Sequence, residues 1–122
     1  MVIRPALLYG AECWPIKKSQ VQRIGVAEKR MIRWMCSHTR FDMIGNGVIR
    51  SKIGVTPIED KMREARLRWF GHIRRRSMDA PVRRCEKIDR LDCKRSRDRP
   101  RKSWSEVIRN DLKTLGLVED MA

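Results

Sequence analysis

Residues 56–76 read TPIEDKMREARLRWFGHIRRR, and the fold of the chain turns on whether this stretch forms one helix. Its start carries helix punctuation. Thr56 can cap, Pro57 fills the first turn where no amide hydrogen is needed, and Glu59 can reach back to the cap's backbone. The spacing predicts an amphipathic helix over 57–75, with Ile58, Met62, Ala65, Trp69 and Ile73 on one face and Phe70 at its margin. Lys61, Arg68 and Arg75 cluster on another face. Five arginines surround the Trp69-Phe70 pair, and a core cannot hold five guanidinium groups. Burying an aromatic side chain is worth about 2 kcal/mol or more, so the aromatics are expected inside and most of the arginines outside. This ordinary core reading is favoured over base stacking by Trp69 and Phe70. Arg66 lies near the apolar stripe, its stem placed to pack while its head reaches an acidic partner or a ligand phosphate.

Punctuation recurs on both sides of this helix. In RPALLYGAECW, Pro5 suits a first helical position and Ala6, Leu7, Tyr9, Ala11 and Trp14 suggest a short buried helix that Pro15 ends, with Gly10 as its weak point. Ser19 followed by Gln22 is a capping-box pattern, and Val21, Ile24, Glu28, Met31 and Met35, widened by Ala27, Ile32 and Trp34, predict an amphipathic helix over 19–36. NGVIRSKIG then supplies Asn46 as a cap, Val48, Ile49 and Ile53 as a buried side, and Gly54 as a stop. DAPVRRCEKI suggests another short helix capped by Asp79, with Val82, Cys85 and Ile88 inward. SWSEVIRNDLKTLG opens with Ser103 and Glu106 as a capping box, buries Trp104, Val107, Ile108, Leu112 and Leu115, and closes at Gly116.

No alternating strand run, internal repeat or sustained heptad array occurs. The expected fold is all-α: a single helical region over 1–122, of about five short to medium helices, with a basic exposed loop over 89–103 between the last two. The four tryptophans are expected to anchor helix packing.

Charge says more about partners than about fold. The 122 residues hold 29 Lys plus Arg against 15 Asp plus Glu, a formal +14, enough for several kT of potential over a small protein. Residues 61–110 carry net +11 of this, and CKRSRDRPRKS packs Lys94, Arg95, Arg97, Arg99, Arg101 and Lys102 into ten positions. Such a stripe points first to nucleic acid, because each neutralised phosphate releases condensed counterions. No apolar run approaches the roughly 20 residues of a spanning helix, so no membrane role is expected. The opening residues lack a secretory pattern, which places the chain inside the cell, in nucleus or cytoplasm.

Catalytic and metal motifs are missing. Cys13, Cys36, Cys85 and Cys93 form no CxxC pair, and with His38 and His72 they do not match a zinc module, so no metal or other cofactor is expected. There is no phosphate loop and no HExxH. The adjacent carboxylates Glu59-Asp60 and Glu119-Asp120 sit in capping or terminal contexts, about 100° apart on a helix. Cys36 with His38 lacks an orienting third group, and His72 suits a phosphate contact or plain exposure better than general-base work.

IRPALLYGAECW, VAEKRMIRWMCSHTR, IEDKMREARLRWFGHIRRR and RPRKSWSEVIRNDLK, in that order along nearly the whole chain, resemble the C-terminal region of reverse transcriptases from LINE-type (non-LTR) retrotransposons, including truncated plant copies. The resemblance implies the thumb and post-thumb helices that hold a template-product duplex. In that family the F/Y-A-D-D motif of the palm binds the catalytic metal ions, and these residues contain no ADD, so the resemblance implies a binding fragment of an RNA-directed DNA polymerase that does not polymerise by itself. Taken with the charge, the expected partners are RNA and/or DNA held through phosphates by Arg66, Arg68, Arg74, Arg75, Arg76 and the cluster Lys94, Arg95, Arg97, Arg99, Arg101 and Lys102. The alternative is a helical protein-interaction or self-associating module, docking through surface that a missing palm leaves bare.

Overall fold

A computed structural model describes residues 3–86 and 102–117. Among these the chain is all-helical, with no strand: α1 (Ile3–Leu8), α2 (Lys18–Met35), α3 (Asn46–Ile53), α4 (Ile58–Arg74), α5 (Pro81–Glu86) and α6 (Trp104–Thr114), plus 3-10 turns at Ala11–Cys13 and Arg40–Asp42. The 56–76 stretch does form one long helix, and α4 is the axis on which the rest packs.

Two clusters of apolar side chains line α4. Around its first half, Ile58 and Met62 meet Ala11 and Ile16, with Leu7, Leu8, Val21 and Ile24 closing over them. Along its second half, Phe70 meets Ile108 and Leu112 of α6, with Leu67 and Trp104 alongside. Each large apolar side chain removed from water this way contributes about 1.5–3 kcal/mol. The buried stripe of α4 runs Ile58, Met62, Arg66, Phe70 and Ile73. It is rotated from the expected stripe: Phe70, not Trp69, points into the core, and Ala65 and Trp69 are half-buried at its edge. The rotation follows from α6, which offers α4 an apolar face on Phe70's side and an acidic residue at Asp111.

Several local expectations are corrected. The first segment is two pieces, because Gly10 adopts a left-handed conformation (φ +70°) that ends the first helix and starts a 3-10 turn. Ala11 is thereby buried while Tyr9 is 86% exposed and Trp14 faces solvent. The second helix starts at Lys18, so Ser19 is inside it; Gln20 Oε1 accepts from the Lys17 backbone N–H at 2.9 Å in place of the Ser19-Gln22 box. Gly45, not Asn46, precedes α3, and Asn46 Oδ1 accepts from Arg33 Nε at 2.9 Å. Gly54 closes α3 as expected, in a left-handed conformation (φ +69°). Val48, Cys85 and Leu115 are exposed rather than inward, and Ile88 lies outside the described residues. Ser103 does cap α6, accepting from the Glu106 N–H at 3.3 Å.

The tryptophans divide. Trp104 anchors packing: its Nε1 donates to the Glu12 carbonyl at 2.7 Å, joining α6 to the 3-10 turn 92 residues earlier. Trp34 is 82% exposed, so it anchors no packing among the described residues.

Two buried carboxylates tie the helices. Glu28, 1% exposed, stands on the apolar face of α2. Its Oε2 accepts from the Ile58 N–H and from Arg50 Nη2, each at 3.2 Å, and its Oε1 lies 3.6 Å from Arg4 Nε. Glu28 therefore caps α4 from another helix, the role expected of Thr56. Thr56 instead accepts through its carbonyl from the Arg4 guanidinium, and Glu59 pairs with Arg63 at 3.7 Å. At the other end, Asp111 of α6 accepts from Arg66 Nε at 2.7 Å, with Arg63 Nε 3.7 Å away. Between α2 and α3 the loop is held by Arg33, which donates to the carbonyls of Thr39 and Ile44 as well as to Asn46.

Candidate nucleic-acid interface

The outward side of α4 carries the site. Arg68, His72 and Arg75 follow one another at four- and three-residue steps, and Ala65 and Trp69 occupy the adjoining row, so all five share one side of a helix. With Glu12 from the 3-10 turn they line a surface cleft of about 440 Å³. The Trp69 indole and the His72 imidazole are stacked, centroids 5.3 Å apart and planes 26° from parallel. Arg68, largely exposed, donates through Nη2 to Glu64 Oε1 at 2.7 Å. Glu64 also accepts from Lys61 Nζ at 2.7 Å, and that bond, with the charges of Lys61 and Arg68, holds its carboxyl below the ordinary range. The bond to Glu64 fixes the direction of the Arg68 guanidinium. Arg75 folds back along Gly71: a Cβ on that glycine would lie 3.2 Å from Arg75 Nη1 and would push the guanidinium away by a few tenths of an ångström.

The expected contact residues separate into four groups. Arg68, Arg74, Arg75 and Arg76 are exposed, and of these Arg68 and Arg75 line the cleft while the Arg74 guanidinium lies over the Phe70 ring, 5.2 Å from its centroid. Arg66 does not belong with them. It is 5% exposed and paired with Asp111, so its charge is spent inside the protein and is out of reach of a ligand phosphate. Lys102 is half-buried just before α6. Lys94, Arg95, Arg97, Arg99 and Arg101, and with them most of the basic loop over 89–103, lie outside the described residues.

Trp69, His72 and Glu12 line the cleft without being among the expected contact residues, although His72 suited a phosphate contact and base stacking by Trp69 was weighed and disfavoured. The signal for two of them was present in the 68, 72, 75 spacing with an aromatic at 69. The place of Glu12 depends on a contact across more than fifty residues, which no local pattern announces.

Other chemistry is sparse. Among the described residues no three His, Cys, Asp or Glu side chains are grouped to hold a metal ion. Cys13, Cys36 and Cys85 are free thiols, and desolvation, helped by the Glu12 charge, pushes the Cys13 thiol up, away from the reactive thiolate. Among the described residues no helix is long and apolar enough to cross a membrane. No protein-family model, curated protein or solved structure matches the chain.

Proposed function

We propose that the chain is a sequence-tolerant nucleic-acid-binding element, with the role of the thumb and post-thumb helices of a LINE-type reverse transcriptase: it grips a template-product duplex and leaves polymerisation to a palm that these residues do not contain. The observation that supports this reading is the placement of Arg68 and Arg75 on one exposed side of α4, within a segment of net +11 charge. Contacts of this kind are made to phosphates, so they position a duplex without reading its bases. The origin in a retrotransposon rests on the sequence resemblance.

Titration of a labelled RNA–DNA hybrid with salt tests it. Binding should fall steeply with salt, and Arg68→Ala or Arg75→Ala should each weaken all sequences alike while lowering the salt slope by about one. An effect confined to one base position contradicts the proposal.

One observation favours a second reading, a self-associating module. Phe41 is 92% and Met43 91% exposed in the loop between α2 and α3, which Arg33 ties to both helices, and Trp34 and Val48 on those helices are exposed as well. Large apolar side chains left in water invite association. Salt-insensitive dimerisation in sedimentation, lost in Trp34→Ser together with Phe41→Ser, would favour it over the nucleic-acid reading.

A further inference from the structure

The cleft on α4 pairs two kinds of surface that one ligand would need to match. Arg68 and Arg75 bring positive charge, which suits a phosphate. Between them in sequence, the half-buried Trp69 ring stacked on His72 brings a flat π-surface, which suits an aromatic ring. Glu12, the acidic residue among those lining the cleft, disfavours a bare inorganic anion and accepts hydrogen bonds from N–H donors. Ala65 adds only a methyl group, so the cleft stays open beside the rings. Its volume of about 440 Å³ lies within the range of roughly 300–1,000 Å³ usual for small-ligand sites. A ligand with phosphates, an aromatic ring and ring-edge N–H donors is a nucleotide. Inside a duplex the faces of the bases are covered by their neighbours, so away from the duplex ends only an unpaired base can present one to Trp69.

We propose that this cleft holds one unpaired nucleobase of a single-stranded nucleic acid, stacked on the Trp69–His72 pair, with its flanking phosphates on Arg68 and Arg75. The proposal rests on the nucleic-acid reading above and deepens it: beside a backbone grip on duplex, α4 carries a site for a single strand. The edge contact to Glu12 favours guanine, which offers two adjacent donors to a carboxylate, over uracil or thymine.

Fluorescence anisotropy on the full chain tests the proposal with three labelled probes of equal phosphate number: a mixed-sequence single strand, the same strand made abasic, and a blunt RNA–DNA hybrid. The normal strand should bind roughly 5- to 150-fold more tightly than the abasic one, the worth of one stacked base, in a comparison that requires no variant to fold. Trp69→Ala should weaken the normal strand by a similar factor and leave the hybrid within about twofold, and Trp69→Phe should recover most of the loss. Equal affinity for the normal and abasic strands overturns the stacking proposal, and hybrid binding with a steep salt slope then leaves the duplex reading standing. Failure to bind any of the three overturns both.

Discussion

The two ends of α4 solve the same packing problem with different chemistry. At its start, Glu28 reaches in from α2 and meets a backbone N–H and two guanidiniums, joining α1, α2, α3 and α4 at one buried carboxylate. Toward its finish, Asp111 reaches in from α6 and meets, among the described residues, the side chains of Arg66 and Arg63 of α4. The first end is a hub and the second is a strap. Asp111 meets α4 on the Arg66 side, and the row bearing Arg68, Trp69, His72 and Arg75 lines the cleft together with Glu12.

The largest test of this contrast is Glu28→Ala. It removes the carboxylate partner of Arg50, leaves Arg4 with the Thr56 carbonyl alone of its two partners described above, and leaves the Ile58 N–H without its acceptor, so urea unfolding should register a loss of about 4 kcal/mol. Glu28→Gln keeps an oxygen for Ile58 and should lose less. If Glu28→Ala unfolds at the wild-type urea midpoint, the hub is no hub.

Asp111→Ala should come next, at about 3 kcal/mol, because one buried guanidinium loses its partner. The double change Arg66→Met with Asp111→Leu should recover most of that, since an apolar pair of similar volume replaces a buried ion pair at little loss. Hybrid binding by the double variant should stay near wild type, which separates Arg66 from the exposed arginines. A large loss of binding in a folded double variant would return Arg66 to the interface.

The smallest effect concerns the loop that both ends ignore. Asp42 accepts from the backbone N–H of Thr39 and also from its hydroxyl, and these bonds hold its carboxyl below the ordinary value of 3.8. A lowered folded pKa means that the contribution is fully present above about pH 4 and is lost as pH falls through the lowered value. The Thr39 amide resonance should therefore move with a midpoint below 3.8, and a midpoint at or above it would show that the bond is not made.

How far the sequence carried depends on where the deciding contact lies. The all-helical class, the length of α4, the Gly54 stop and the Ser103 cap were legible because each depends on residues within a few turns of one another. The cap of α4 was not legible, although its sign was in view: a glutamate at position 28 on an otherwise apolar face. Nothing within α2 says that its partner is the amide of Ile58, thirty residues on. Arg66 is the same kind of case. Spacing placed it at the edge of the core and left two destinations for its guanidinium, an acidic partner or a phosphate, and only the position of Asp111 on α6 chose between them.

The sequence by itself determined a helical, strongly basic chain whose central helix has an apolar side and an arginine side, because periodicity and charge are properties of neighbouring residues. Tertiary structure decided which arginines remain outside, that Phe70 rather than Trp69 enters the core, and that Glu12 meets α4 at the cleft. Those outcomes depend on the angle at which α6 and the 3-10 turn approach α4, and that angle comes from side chains packing across tens of residues of chain.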